Sequence, residues 1–145
     1  MHNDACSGLI ASCLFALVSI TPAKADDIPA CAPPNGVSSM SSLNQTPPAL
    51  LRALKERFVD IVASGEKFDA TDVVVTGRNR RLIFIWNMGV RWIVATEHGG
   101  FVYNDPIFAY DLGPDGQSAT LVQERVAVPS TVCAAALSLL GSGSL

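Results

Sequence analysis

The alternation of apolar and polar residues divides the chain into five stretches of different texture. The first is an apolar run from Leu9 to Ile20, followed by Thr21-Pro22 and then Ala23-Lys24-Ala25. Small residues three before and one before a cut after Ala25 fit a secretory signal, and the run is too short to span a bilayer, which takes about 20 residues. The segment Met1-His2-Asn3-Asp4 carries no Lys or Arg, so the positive charge usual at the start of a signal falls to the amino terminus and His2. Ile10-Ala11-Ser12-Cys13 resembles a lipidation motif, but too little apolar chain precedes Cys13 to support that reading.

Residues 26–46 are rich in Pro, Ser and Asn and are expected to form an extended arm without helix or strand. Thr46-Pro47-Pro48 then reads as a helix start, with Thr46 as N-cap. Leu50, Leu51, Leu54, Phe58, Ile61 and Val62 recur at helical spacing, predicting one amphipathic helix of about 17 residues that ends at Gly65.

From Asp72 the periodicity shortens, and β-branched and aromatic runs alternate with turn residues. Strands are expected at Asp72–Thr76, Arg81–Trp86, Val90–Thr96, Phe101–Tyr103, Ile107–Leu112 and Ala119–Val128. The connectors are too short for parallel crossovers, so the pattern predicts an antiparallel meander of five to six strands. Leu82-Ile83-Phe84-Ile85-Trp86 is apolar on both faces and suits a strand covered on both sides. Val128–Leu140 predicts a short terminal helix, and Gly141–Leu145 a frayed end. The expected fold is α+β: an amphipathic N-terminal helix packed on the meander, plus a short C-terminal helix. Its organisation is a signal at 1–25, an arm at 26–46, one domain at 47–141 and a tail at 142–145.

Composition narrows the chemistry. The net charge is −3, and removing residues 1–25 takes away one basic residue, Lys24, and one acidic residue, Asp4, leaving it unchanged. That mild acidity argues against a nucleic-acid binder, and no polybasic run offers an anchor to anionic lipid. Two of the four cysteines, Cys6 and Cys13, leave with the signal. The remaining Cys31 and Cys133 are expected to pair in an oxidising compartment, periplasmic or extracellular. The cysteines stand too far from any His or further Cys in sequence to suggest a zinc site, and no fingerprint for a cofactor is present.

The mature chain holds one histidine, His98, in Thr96-Glu97-His98-Gly99-Gly100. With Glu97 or Asp105 it could serve as an acid/base pair in a small hydrolase, while the plainer reading is a turn residue bonded to backbone. Arg78, Arg80 and Arg81, three arginines within four positions, form a candidate anion-gripping patch or a solvated hairpin tip. Tyr103 adds a further candidate contact in the segment from Arg91 to Leu112, the stretch richest in side chains able to form a site. These features favour a small exported domain of bacterial type that binds an envelope protein or a small ligand through its hairpin loops, as an inhibitor-like module does. A small hydrolase and a structural envelope protein are the alternatives.

Overall fold

The structure, a computed structural model, describes residues 30–70, 78–100 and 103–142. The signal segment and its cut, the expected strand Asp72–Thr76 and two of the three residues of Phe101–Tyr103 lie outside the described residues. Five strands form one antiparallel sheet in simple chain order: β1 (Ser38–Met40), β2 (Arg80–Met88), β3 (Arg91–His98), β4 (Asp105–Leu112) and β5 (Ala119–Ala127). Helix α1 (Pro48–Arg57) packs on one face and α2 (Val132–Gly141) on the other, so the α+β class holds.

The pleat sorts the core into two clusters. On one face Phe84, Trp86, Ile93, Ala95, Ile107 and Ala109 meet Val132, Ala136, Leu139 and Leu140 of α2. On the other, Leu82, Ile85, Trp92, Val94, Phe108 and Tyr110 meet Leu50 and Leu54 of α1. β2, β3 and β4 are therefore buried on both sides, as the uninterrupted apolar run in β2 suggested. Arg91 binds Asp111 across β3 and β4 and also donates to the Leu139 carbonyl at 3.0 Å, tying α2 to the sheet.

The arm departs from expectation. Ser38–Met40 pairs antiparallel with β2, in the register Ser39 opposite Trp86. An extended, polar, Ser-rich segment needs only a free sheet edge to become a strand, and β2 supplies one. A tether also holds the arm: the sulfurs of Cys31 and Cys133 lie at bonding distance, with Cα atoms 5.4 Å apart at a sequence separation of 102.

The first helix is shorter than its periodicity predicts. It stops at Arg57, and Phe58 is already extended at φ −129°, ψ 125°. Tertiary pairing overrides the helical pattern here. Phe58 turns in against Phe108, with ring centroids 5.1 Å apart, and Val62 forms a parallel bridge to Arg81. Its amide donates to the Arg80 carbonyl at 3.0 Å and its carbonyl accepts from Leu82 at 2.9 Å. The β-branched residues Val59, Ile61 and Val62 favour that extended path. Thr46 does not cap α1; its hydroxyl instead donates to the Leu43 carbonyl at 2.6 Å, closing a 3-10 turn at Leu43–Gln45. Pro47 takes the cap position without a side-chain bond.

The β2–β3 hairpin closes through Gly89-Val90, with Met88 opposite Arg91. Gly89 adopts φ +65°, the left-handed value that a two-residue turn of this hand requires at its first central position. Val90, the expected start of the strand Val90–Thr96, is 61% exposed because it belongs to that turn, whereas Trp92 is buried.

Candidate functional site

The candidate residues gather at one end of the sheet, where β2 and β4 begin and β3 ends. Cross-strand register accounts for this: Arg81 lies opposite Glu97 and Arg80 opposite His98, and Asp105 starts the strand that returns beside β3. Because alternate residues face opposite sides, the candidates divide into two groups.

On the α2 face sits a buried polar group. Glu97 is fully buried, and its Oε2 accepts from Arg81 Nε at 2.8 Å and lies 2.6 Å from Arg81 Nη2. The Tyr103 hydroxyl donates to Glu97 Oε1. Burial, reinforced by that bond, raises the Tyr103 phenol above its ordinary range. Asp105 follows the same parity as Ile107 and belongs to this face. Its carboxylate is fully buried, and neither oxygen has a hydrogen-bond partner among the described residues. Burial first, and the nearby Glu97 charge second, push the Asp105 carboxyl up to about 6. Arg81 also stacks over Phe68, 4.6 Å from the ring centroid.

On the α1 face, Arg80 Nη1 donates to Thr96 Oγ1 at 3.0 Å, and its guanidinium lies 4.4 Å from the centroid of Phe58. His98 Nε2 stands 3.3 Å from Asn79 Nδ2. An amide donor there requires an unprotonated ring nitrogen, in line with the lowering of the His98 pKa by burial and by Arg80. Glu97 and His98 are successive residues of β3 and face opposite sides of the sheet. The structure does not bring His98 and Glu97 together as an acid/base pair, and it sets Asp105 on the face of Glu97.

A segment that crosses this end closes it. Asp69 N donates to the Arg78 carbonyl at 2.8 Å, and Gly99 N to the Asn79 carbonyl at 2.9 Å. The approach is so close that a Cβ on Gly99 would stand 2.5 Å from both Asp69 O and Ala70 Cα. Glycine is required at this position by contact.

The three arginines do not act as one patch. Arg80 and Arg81 turn inward onto intramolecular partners, and Arg78 alone of the three is exposed. Arg78 lines a cavity of about 250 Å³ between the 3-10 turn and the strand-like segment after α1, together with Ser42, Asn44, Asp60 and Glu66. A second depression of about 140 Å³ adjoins it, sharing Leu43, Asp60 and Ile61 and adding Leu51, Leu54 and Phe58. Asp60 and Arg78 are both exposed, and neither side chain forms an ion pair or hydrogen bond among the described residues. Elsewhere Arg57 closes onto Glu124, Arg81 onto Glu97 and Arg91 onto Asp111. Sequence reasoning found Arg78 but missed Asp60, whose place beside it depends on the early end of α1.

Among the described residues no cluster of three or more His, Cys, Asp or Glu side chains could hold a metal ion, and no helix is long and apolar enough to cross a membrane. Compared with known proteins, the chain matches no family model, no curated protein and no solved structure.

Proposed function

We propose that the chain is an exported, non-enzymatic binding module that takes a small ligand in the cavity beside Arg78. One observation carries the reading: a cation and a carboxylate line the same cavity and are left open, while three other arginines are each closed onto an acid. Unpaired charges of both signs beside a partly apolar depression are the convergent polar groups by which a concave site orients a ligand. The rigid frame suits such a role. Arg80 and Arg81 are held by Thr96 and Glu97, the bridge between Cys31 and Cys133 ties the arm down, and a frame fixed before binding lowers the cost of ordering a site. The disulfide also supports export, because such bonds persist in oxidising compartments.

The proposed site lies between the 3-10 turn Leu43–Gln45 and the segment that follows α1. Equilibrium dialysis of the purified, disulfide-bonded protein against a small-molecule extract of the cell envelope, read by mass spectrometry, tests the reading. The protein should retain a low-mass species that an Asp60→Asn, Arg78→Gln double variant of equal thermal stability does not. Equal retention by both proteins, or retention by neither, overturns it.

A further inference from the structure

We infer that the ligand of this cavity is a small zwitterion with an apolar side group, of the class of a free α-amino acid with a branched or aromatic side chain. The inference rests on the binding reading above and names the chemistry of its ligand. Asp60 and Arg78 line one cavity without pairing to each other, so the site presents a negative and a positive group that a single ligand could satisfy together. An anionic ligand would meet Asp60 and Glu66, and a cationic one would meet Arg78 unsatisfied. A ligand bearing an ammonium and a carboxylate on neighbouring atoms matches both signs. The guanidinium suits the carboxylate, since its fork of donors binds planar oxyanions two at a time. Asp60, acceptor only when ionised, suits the ammonium. Ser42 and Asn44 supply neutral hydrogen-bonding groups at the same wall.

The adjoining depression sets the third requirement. Leu43, Leu51, Leu54, Phe58 and Ile61 give it a partly apolar lining around about 140 Å³, room for one leucine-sized side chain. Lys55 also borders it, with a stem that can lie along apolar surface while the charge stays in water. Asp60, shared by both depressions, stands where the charged and apolar parts of such a ligand would join. Glycine would leave the apolar part empty, and a fatty acid would leave Asp60 without a partner.

The test uses four defined probes on the purified, disulfide-bonded protein, followed by calorimetric titration. Leucine carries all three features, glycine lacks the apolar group, leucinamide lacks the carboxylate and N-acetyl-leucine lacks the ammonium. Leucine should bind with a Kd of about 0.1 to 1 mM, as fits so small a ligand, and each of the others at least about 10-fold more weakly. Arg78→Gln should abolish the preference for leucine over leucinamide but keep the preference over N-acetyl-leucine, and Asp60→Asn should do the reverse. Failure of leucine to bind, equal binding of all four probes, or variants that lose both preferences alike would overturn the inference. If leucine fails while dialysis still yields a species dependent on Asp60 and Arg78, the ligand class is wrong and the binding reading stands. If dialysis yields none, both fall.

Discussion

Replacing Asp105 with Asn should stabilise the protein at neutral pH and leave it unchanged in acid. The Asp105 carboxylate is fully buried beside Glu97, with no hydrogen-bond partner among the described residues, so its carboxyl sits at about 6 in the fold against 3.8 ordinarily. Each unit of displacement corresponds to about 1.4 kcal/mol, which makes the full cost of ionising Asp105 in place roughly 3 kcal/mol. The sign follows from linkage. Between pH 4 and pH 6 the folded chain binds more protons than the unfolded one, so this group's contribution falls as pH rises through that window and is lost above it. Asn has the shape of the acid and no charge to bury. Urea unfolding followed by the fluorescence of the buried Trp86 and Trp92 should therefore give the variant about 2 to 3 kcal/mol more stability than wild type at pH 7.5, and almost none more at pH 4. At about 4 °C per kcal/mol, the gain at pH 7.5 is roughly 10 °C in Tm. A difference between variant and wild type that is the same at both pH values would refute the argument, because no ionisation would then separate them.

Three further outcomes are expected. Arg81→Gln should cost about 3 kcal/mol, since it strands Glu97 fully buried, whereas Arg78→Gln should change stability by no more than about 0.5 kcal/mol; comparable losses in thermal melts would contradict the division of the arginines into anchors and an open charge. Gly99→Ala should destabilise by at least about 2 kcal/mol, because the new methyl meets backbone of Asp69 and Ala70 at 2.5 Å; a melt unchanged from wild type would show that the crossing segment yields. His98 should titrate below its usual 6.5 in an NMR pH series, and a midpoint above 6.5 would mean that burial and Arg80 do not govern it.

The legible parts of the fold were those set by local pattern. Strands β2 to β5 and the terminal helix announce themselves by alternation, turn residues and a Pro-Ser-Thr start. The pairing of Cys31 with Cys133 was expected from counting the cysteines outside the predicted signal. What eluded the sequence was decided by contacts between distant segments. Ser38–Met40 has no strand propensity of its own and pairs because β2 has an open edge. Phe58, Ile61 and Val62 keep perfect helical spacing, yet packing on Phe108 and bridging to Arg81 draw them out of the helix. The candidate residues were largely named in advance, but not their partners. Glu97 and His98 are adjacent in the chain and read as a pair, and the pleat sends them to opposite faces. Arg78, Arg80 and Arg81 read as one patch, and cross-strand register turns two of them inward. Alternation along a strand reveals which of its residues share a face; only the register reveals which residues of neighbouring strands meet.

The disulfide and Asp105 act in opposite directions at neutral pH, and that opposition is measurable. Closing a loop whose ends are separated by 102 in sequence removes unfolded-state entropy worth about 4 to 5 kcal/mol in the chain model. Ionising Asp105 subtracts roughly 3 kcal/mol from a domain whose total stability is of the order of 5 to 15 kcal/mol. A Cys31→Ser, Cys133→Ser variant at pH 7.5 thus loses the staple while still bearing the buried charge, and should be partly unfolded at 37 °C. Adding Asp105→Asn should restore about 2 to 3 kcal/mol at that pH and much less at pH 4, because the two effects arise in different states of the chain and should add. Circular dichroism of the four proteins at the two pH values completes the cycle. If Asp105→Asn rescues the cysteine-free protein equally at both pH values, the rescue comes from packing; if it fails at pH 7.5, the buried carboxylate is not the opposing term.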